Sequence, residues 1–136
     1  MPPFVYRHRV RFHECDPQGI VFNGTWFQYF DVALTELWTA AFGSYSAVME
    51  RGVDVVVVEA SARYFAPARF EDDVDVALSY EKLGTTSTVS RFDATRDGER
   101  LVDGRLVHVF VDLGTTTKQP IPGWARVGLE PYLIEP

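Results

Sequence analysis

The sequence predicts an α+β domain in which a long antiparallel β-sheet wraps around one central α-helix. Apolar residues recur at every second position over residues 4–12 and along much of residues 53–112, which is the period of a β-strand. Between these stretches, residues 25–42 are apolar around most of a helical circumference, so other elements must enclose this helix. The length of 136 residues fits one domain that spans residues 1–136.

The first element is a strand over residues 4–12 whose apolar face runs from Phe4 to Phe12. Its other face is basic and is expected to be solvated, because it carries Arg7, Arg9 and Arg11. A tight turn follows the strand. The segment Asp16-Pro17-Gln18-Gly19 has Asp, Pro and Gly at the first, second and fourth positions, as a type I turn prefers.

The second element is a helix over residues 25–42. Thr25 is expected to cap its first turn, with Gln28 three residues later completing a capping box, and Gly43 supplies a stop signal. One polar stripe runs along the helix and consists of Gln28, Asp31, Thr35 and Glu36. This stripe is either the solvated face of the helix or the wall of a dimer interface or substrate pocket.

The remaining chain reads as strands joined by short turns. The strands are expected at residues 53–65, 73–80, 85–95 and 101–112, with a turn at residues 82–84 and a two-residue hairpin at Asp97-Gly98. Residues 118–136 contain several prolines and are expected to be irregular, with a short helix near Trp124. The predicted order is therefore one strand, one long helix and four antiparallel strands.

The charge and the apolar runs exclude two classes of protein. With 13 Lys and Arg against 19 Asp and Glu, the formal net charge is −6, which disfavours a nucleic-acid-binding protein. The longest aliphatic run, Val55–Val58, is far shorter than a membrane span, which needs about 18 apolar residues. No membrane association is expected.

The single cysteine excludes two kinds of site. Cys15 alone forms no intrachain disulfide and no multi-cysteine zinc centre. Near the N-terminus, Arg7, His8 and Arg9 interrupt the apolar stretch that a secretion signal needs. We therefore expect a cytoplasmic protein.

The string Asp16-Pro17-Gln18-Gly19-Ile20-Val21-Phe22-Asn23, leading into an aromatic-rich helix, resembles the hotdog-fold thioesterases, above all the 4-hydroxybenzoyl-CoA thioesterase family. A second segment, residues 64–69 followed by Asp72 or Asp73, also looks like that family, and the resemblance covers nearly the whole chain. It implies a hotdog fold and hydrolysis of an acyl-CoA or an acyl-carrier-protein thioester without a metal or redox cofactor. It also implies a homodimer or homotetramer with sites at the subunit interface.

The resemblance assigns the catalytic roles. Asp16 would attack the thioester carbonyl as nucleophile or activate water as general base, and the backbone N–H of Asn23 would donate to the carbonyl oxygen. The family often has an aromatic residue or histidine at the position of Asn23, so the acyl group, aromatic or fatty, stays open. Further substrate contacts are expected from Gly19, Val21, Phe22 and Trp26. The coenzyme A phosphates need a local basic group, with Arg63 and Arg69 as the leading candidates beside Arg91, Lys118 and Arg126.

Physical chemistry supports this assignment independently. Unpaired N–H groups and the dipole at a helix N-terminus stabilise a developing oxyanion, and a carboxylate on a rigid turn nearby supplies a nucleophile or base. A thiolate leaves readily, so a dedicated general acid is unnecessary. This chemistry requires neither a histidine nor a Ser-His-Asp set.

Two other functions are alternatives for this sequence. One is a non-catalytic module that binds acyl-CoA or an acyl carrier protein. The other is a hotdog hydratase or dehydratase, but those relatives carry a catalytic histidine, and here Val21 stands five residues beyond Asp16.

The sequence favours structural interpretations for five further side chains. A thiol nucleophile formed by Cys15 with His13 is disfavoured, since adjacent residues of a strand end face opposite ways. His8, His13 and His108 are expected to be structural, and Glu59 is expected to be a solvated strand residue rather than a second carboxylate.

Overall fold

The computed structural model describes residues 3–134, which contain five strands and three α-helices. In chain order these are β1 (Phe4–Arg9), α1 (Thr25–Phe42), α2 (Tyr45–Glu50), β2 (Val53–Tyr64), β3 (Asp73–Leu83), β4 (Ser87–Arg96), β5 (Glu99–Asp112) and α3 (Gly123–Leu129). Short 3-10 helices lie at Phe12–Glu14 and Glu130–Tyr132. None of the helices in this part of the chain is long and apolar enough to cross a bilayer.

The five strands form one antiparallel sheet in the order β1-β3-β4-β5-β2. Helix α1 packs on the inner face of this sheet, where Phe30 stacks on Phe92 of β4 with 4.6 Å between ring centroids. Phe30 also covers Gly104 of β5, where a Cβ atom would lie only 2.3 Å from its ring. The glycine thus lets the helix approach the sheet closely, and the predicted hotdog architecture is confirmed.

Helix α1 supplies the centre of the core. Its buried side chains are Trp26, Tyr29, Phe30, Ala33, Leu34, Leu37 and Trp38. Inside this core, Nε1 of Trp38 donates a hydrogen bond of 3.0 Å to the hydroxyl of Tyr80 on β3, so the two polar atoms satisfy each other. The predicted polar stripe of α1 is exposed in the single chain.

The start of α1 differs from the prediction in one respect. The helix begins at Thr25 and ends at Phe42 as expected, and Gly43 follows with φ of 92°. Its N-cap, however, is Gly24, and no side chain caps the helix, so the predicted capping box of Thr25 and Gln28 was wrong. The reason is that the carbonyl of Phe22 accepts the amide of Thr25 at 2.9 Å, which starts the helical turn earlier.

Other helix and strand boundaries also differ from the sequence prediction. Strand β1 ends at Arg9 and the chain turns into the 3-10 helix, so the expected place of Phe12 on the apolar face was wrong; its side chain is 77% exposed. Helix α2 was not predicted, although Ser44 caps it by accepting the amide of Ala47 at 2.9 Å. Strand β3 continues through the predicted turn to Leu83, and the chain reverses at Gly84.

The hairpin between β4 and β5 confirms its sequence signal. Asp97 and Gly98 have φ of 49° and 79°, as both central residues of a type I′ turn require.

Candidate active site

The Asp16 carboxylate lies on a tightly bonded turn. The carbonyl of Asp16 accepts a hydrogen bond from the amide of Gly19 at 2.9 Å. The amide of Asp16 donates to the carbonyl of Ile20 at 2.8 Å. Its Oδ1 atom accepts the amide of Gln18 at 2.8 Å. Within residues 3–134, Oδ2 has no hydrogen-bond partner. The turn therefore fixes the carboxyl group through one oxygen and leaves the other one available.

The start of α1 presents free backbone amides beside this turn. Thr25 and Phe27 donate to the carbonyls of Phe22 and Gly24, but in the described chain the amides of Asn23, Gly24 and Trp26 have no acceptor. A capping side chain would normally take such an amide, and Gly24 has none. These donors, together with the helix dipole, favour an anion or a polarised carbonyl oxygen at this position.

Both groups line one cavity of about 850 Å³. This volume is within the range of about 300–1,000 Å³ that is usual for small-molecule sites. Apart from Asp16, Gln18 and Asn23, the wall is mostly apolar and is formed by Pro17, Ile20, Val21, Phe22, Trp26, Tyr64, Phe65, Ala66 and Pro67. A carboxylate and free amides thus share an apolar cavity, which suits attack on a carbonyl group.

The end of strand β2 and the residues after it form part of the cavity wall. The hydroxyl of Tyr64, the last residue of β2, donates a hydrogen bond of 2.9 Å to the carbonyl oxygen of Asn23. Phe65 follows it on the wall and is also half-exposed. Residues 64–69 resemble a segment of the hotdog-fold thioesterases, but the sequence predicts no role for Tyr64. The missed contact joins residues 41 positions apart, so no local pattern could reveal it.

Behind the turn, the side chain of Glu14 joins three elements. Its Oε1 atom accepts hydrogen bonds from Nε2 of His8 at 2.9 Å, from the hydroxyl of Tyr29 at 2.8 Å and from the amide of Arg11 at 2.7 Å. Burial acts to raise the pKa of Glu14, but these three hydrogen bonds outweigh it and hold the pKa below its usual value. Burial and the bond to Glu14 raise the pKa of Tyr29. A buried carboxylate thus ties β1 and α1 to the start of the loop.

Most of the predicted site residues meet at the cavity. Asp16, Val21, Phe22, Asn23 and Trp26 line it, and Trp26 is almost fully buried. Gly19 is not part of the wall; it closes the turn with φ of 79°, a conformation that glycine adopts without strain.

The two leading basic candidates lie in different places. Arg63 faces the outer side of the sheet, where its guanidinium pairs with Asp103 at 2.8 Å beside a second cavity of about 430 Å³. The backbone of Arg69 pairs with Ile20, next to the Asp16 turn, and its side chain is exposed. Only Arg69 is therefore near the cavity that contains Asp16.

The residues that were expected to be structural or solvated lie outside the cavity wall. His8, His13 and His108 are absent from its wall, and so are Cys15 and Glu59. Among residues 3–134, no three His, Cys, Asp or Glu side chains are grouped as metal ligands would be.

Comparisons with known proteins place this chain among thioesterases. The family model described as the thioesterase superfamily matches residues 18–102, beginning two positions after Asp16. The chain is 30% identical to a putative esterase of Aquifex aeolicus over 118 residues. This aligned region is 87% of this chain and 92% of that protein. It is 28% identical over 81 residues to the acyl-CoA thioester hydrolase YbgC of Escherichia coli, or 60% of each chain.

A solved structure agrees with the sequence comparisons. The structure of a gentisyl-coenzyme A thioesterase is similar to this fold with a TM-score of 0.83 and 26% identity. The similarity covers 93% of this chain and 98% of that one.

Proposed function

Because this chain belongs to the thioesterase superfamily, we propose that it hydrolyses acyl-CoA thioesters with Asp16 as nucleophile or general base. It is a thioester hydrolase, which excludes the non-catalytic binding module. One observation carries the proposal: Asp16, Asn23 and Trp26 line the same cavity, and within residues 3–134 the Oδ2 atom of Asp16 and the amides of Asn23 and Trp26 have no hydrogen-bond partner. The absence of a histidine from the wall within the described chain disfavours a hydratase.

The proposed reaction begins when the thioester carbonyl oxygen accepts the Asn23 amide at the start of α1. Oδ2 of Asp16 then attacks the carbonyl carbon or removes a proton from an attacking water. In the first route a tetrahedral oxyanion collapses to a mixed anhydride, the coenzyme A thiolate leaves, and water hydrolyses the anhydride. In the second route the water oxygen adds to the carbonyl carbon as Asp16 takes its proton, the resulting tetrahedral oxyanion collapses to the free acid by breaking the C–S bond, and the departing coenzyme A thiolate takes the proton back from Asp16. The helix amides stabilise the oxyanion in both routes.

The substrate is an aromatic or fatty acyl thioester. Trp26, Phe22 and Phe65 give the cavity an apolar wall that accepts either acyl group. The thiol that holds the acyl group is that of coenzyme A, and the alternative substrate is the thioester of an acyl carrier protein. Arg69 is the favoured contact for the phosphates, because Arg63 is engaged with Asp103.

We also infer that the protein forms a homodimer in which the β2 strands of the two subunits pair. Two such dimers would form a tetramer. Strand β2 is an edge of the sheet, and its exposed apolar residues are Val56, Val57 and Val58 at 39%, 49% and 59% exposure. An exposed apolar edge strand is a template for pairing with another strand. Since Tyr64 ends the same strand, a partner on β2 would lie beside the cavity.

The test is the substitution Asp16→Asn, assayed by thiol release from aromatic and fatty acyl-CoAs. We expect the rate to fall by about 10²–10⁴-fold, the range for a positioned acid, base or nucleophile. The matched control is Asp97→Asn at the β4–β5 turn, where asparagine also accepts positive φ, and it should retain full activity. An Asp16→Asn variant with the rate of the unchanged protein would end the proposal.

A further inference from the structure

The hydroxyl of Tyr64 makes a single, well-defined contact with the segment that precedes α1. It donates to the carbonyl oxygen of Asn23 at 2.9 Å from the end of β2, and both residues line the cavity. The side chain is 50% exposed, so the hydrogen bond is not needed to satisfy a deeply buried group. The contact therefore calls for an explanation other than core stability.

This contact is the only hydrogen bond that the backbone of Asn23 makes within residues 3–134. Phe22 is fixed on both sides, because its amide donates to the carbonyl of Glu14 and its carbonyl accepts the amide of Thr25. Asn23 has neither bond: in the described chain its amide has no acceptor, and its carbonyl accepts only from Tyr64. Gly24, the next residue, adds the freedom of a glycine and no capping side chain.

The free amide of Asn23 is the donor that the proposed function assigns to the thioester carbonyl. An oxyanion hole works because its donors already point to the place where charge develops, and loose donors lose that advantage. A bond to the carbonyl of Asn23 restrains the same residue's backbone. It also occupies an oxygen whose partial negative charge would repel the oxyanion if the peptide turned toward the substrate.

We propose that Tyr64 is a positioning residue that orients the Asn23 backbone for stabilisation of the thioester oxyanion. This inference rests on the proposed function. Burial raises the pKa of Tyr64, so its hydroxyl stays a hydrogen-bond donor at neutral pH. Two other roles make different predictions: an apolar wall needs only the aromatic ring, and a structural contact would act on stability.

The experiment is Tyr64→Phe, which removes the hydroxyl and keeps the ring. Losing an oxyanion donor outright costs about 10²–10³-fold, and loosening it should cost less, so we expect kcat to fall about 5–30-fold. KM should change less than about twofold, and the loss in kcat should be similar for aromatic and fatty acyl-CoAs. The melting temperature should stay close to that of the unchanged protein.

Two parallel variants separate the possible results. Tyr132→Phe removes a hydroxyl that has no hydrogen bond within residues 3–134, and it should leave kcat unchanged. Asp16→Asn tests the proposed function itself. If Asp16→Asn abolishes turnover while Tyr64→Phe keeps the full kcat, or raises only KM, the role of Tyr64 is refuted and the proposed function stands. If Asp16→Asn is fully active, the proposed function fails first.

Discussion

Nε2 of His8 lies 2.9 Å from Oε1 of Glu14, two residues before the proposed catalytic carboxylate. Both side chains are mostly buried, with 15% and 12% of their surfaces exposed. The hydroxyl of Tyr6 lies 2.9 Å from the other ring nitrogen of His8, so a continuous chain of polar groups runs from β1 to the loop. Because Glu14 also bonds to Tyr29, the loop is held against β1 and α1 at the same point.

We expect Glu14→Ala to reduce both stability and activity. It leaves His8, Tyr29 and the amide of Arg11 without their acceptor. Tyr29 is buried, and a buried group that loses its partner costs about 1–3 kcal/mol. The free energy of unfolding, measured in urea, should fall by at least one such amount. The Asp16 turn should also loosen, so that kcat falls at a temperature where the variant is folded.

The matched control is Glu50→Ala, an exposed residue at the end of α2. Its unfolding free energy should change by less than about 0.5 kcal/mol, as is usual at the surface. Equal urea midpoints for Glu14→Ala and the unchanged protein would contradict the role of this cluster.

Local patterns were enough to predict the framework. The bounds of α1 and the hairpin at Asp97-Gly98 follow from short-range signals, because apolar periodicity and turn chemistry act between near neighbours. The Asp16 turn and its place before the helix were predicted for the same reason. The free helix amides were also expected from the general property that the first turn of a helix lacks acceptors.

The features that the sequence did not predict depend on contacts between residues that are distant in the chain. The bond from Tyr64 to Asn23 joins β2 to the start of α1, and the pair of His8 with Glu14 exists only once the chain turns after β1. Pairing of Arg63 with Asp103 likewise depends on the register of β2 against β5. Sequence periodicity carries no information about such register, so Arg63 and Arg69 looked equivalent.

Arg69→Ala should weaken the binding of coenzyme A thioesters. In the described chain this side chain has no ion pair, and its backbone pairs with Ile20 of the cavity wall. A charge-assisted hydrogen bond is worth about 1.5–3 kcal/mol, so KM should rise by roughly 10-fold or more with little change in kcat. An acyl thioester of N-acetylcysteamine, which has no phosphate, should show no such rise.

Arg7→Ala is the matched control, since Arg7 pairs with Asp75 on the outer face of the sheet. An Arg69→Ala variant that binds acyl-CoA as well as Arg7→Ala does would remove Arg69 from the binding site.

Two lysines on the β2 edge should separate the proposed dimer. We expect the double substitution Val57→Lys and Val58→Lys to give a monomer by light scattering, because edge lysines oppose strand pairing. Activity should fall with the dimer if the partner completes the cavity beside Tyr64. The matched control is Val5→Lys on β1, the opposite edge strand, where the side chain is 52% exposed. A monomeric unchanged protein, or a dimeric double variant, would refute the β2 interface.

His108 should make the fold sensitive to acid. Its ring is 4% exposed on β5, between Val57 and Thr88 of the neighbouring strands. Burial lowers the pKa of His108 to about 4 from 6.5, although the nearby Asp54 acts in the opposite direction. The unfolded chain therefore binds a proton at a higher pH than the folded chain does, and each unit of difference is worth about 1.4 kcal/mol.

The stability that the neutral ring contributes is fully present above pH 6.5 and is lost progressively as the pH falls toward about 4. The loss should reach roughly 3 kcal/mol in the unfolding free energy, measured in urea at several pH values. His108→Gln should flatten this slope, whereas His13→Gln, at an exposed position, should leave it unchanged. An equally steep slope in both variants would assign the acid sensitivity to carboxylates, because Glu14, whose pKa is lowered, loses stability in the same direction.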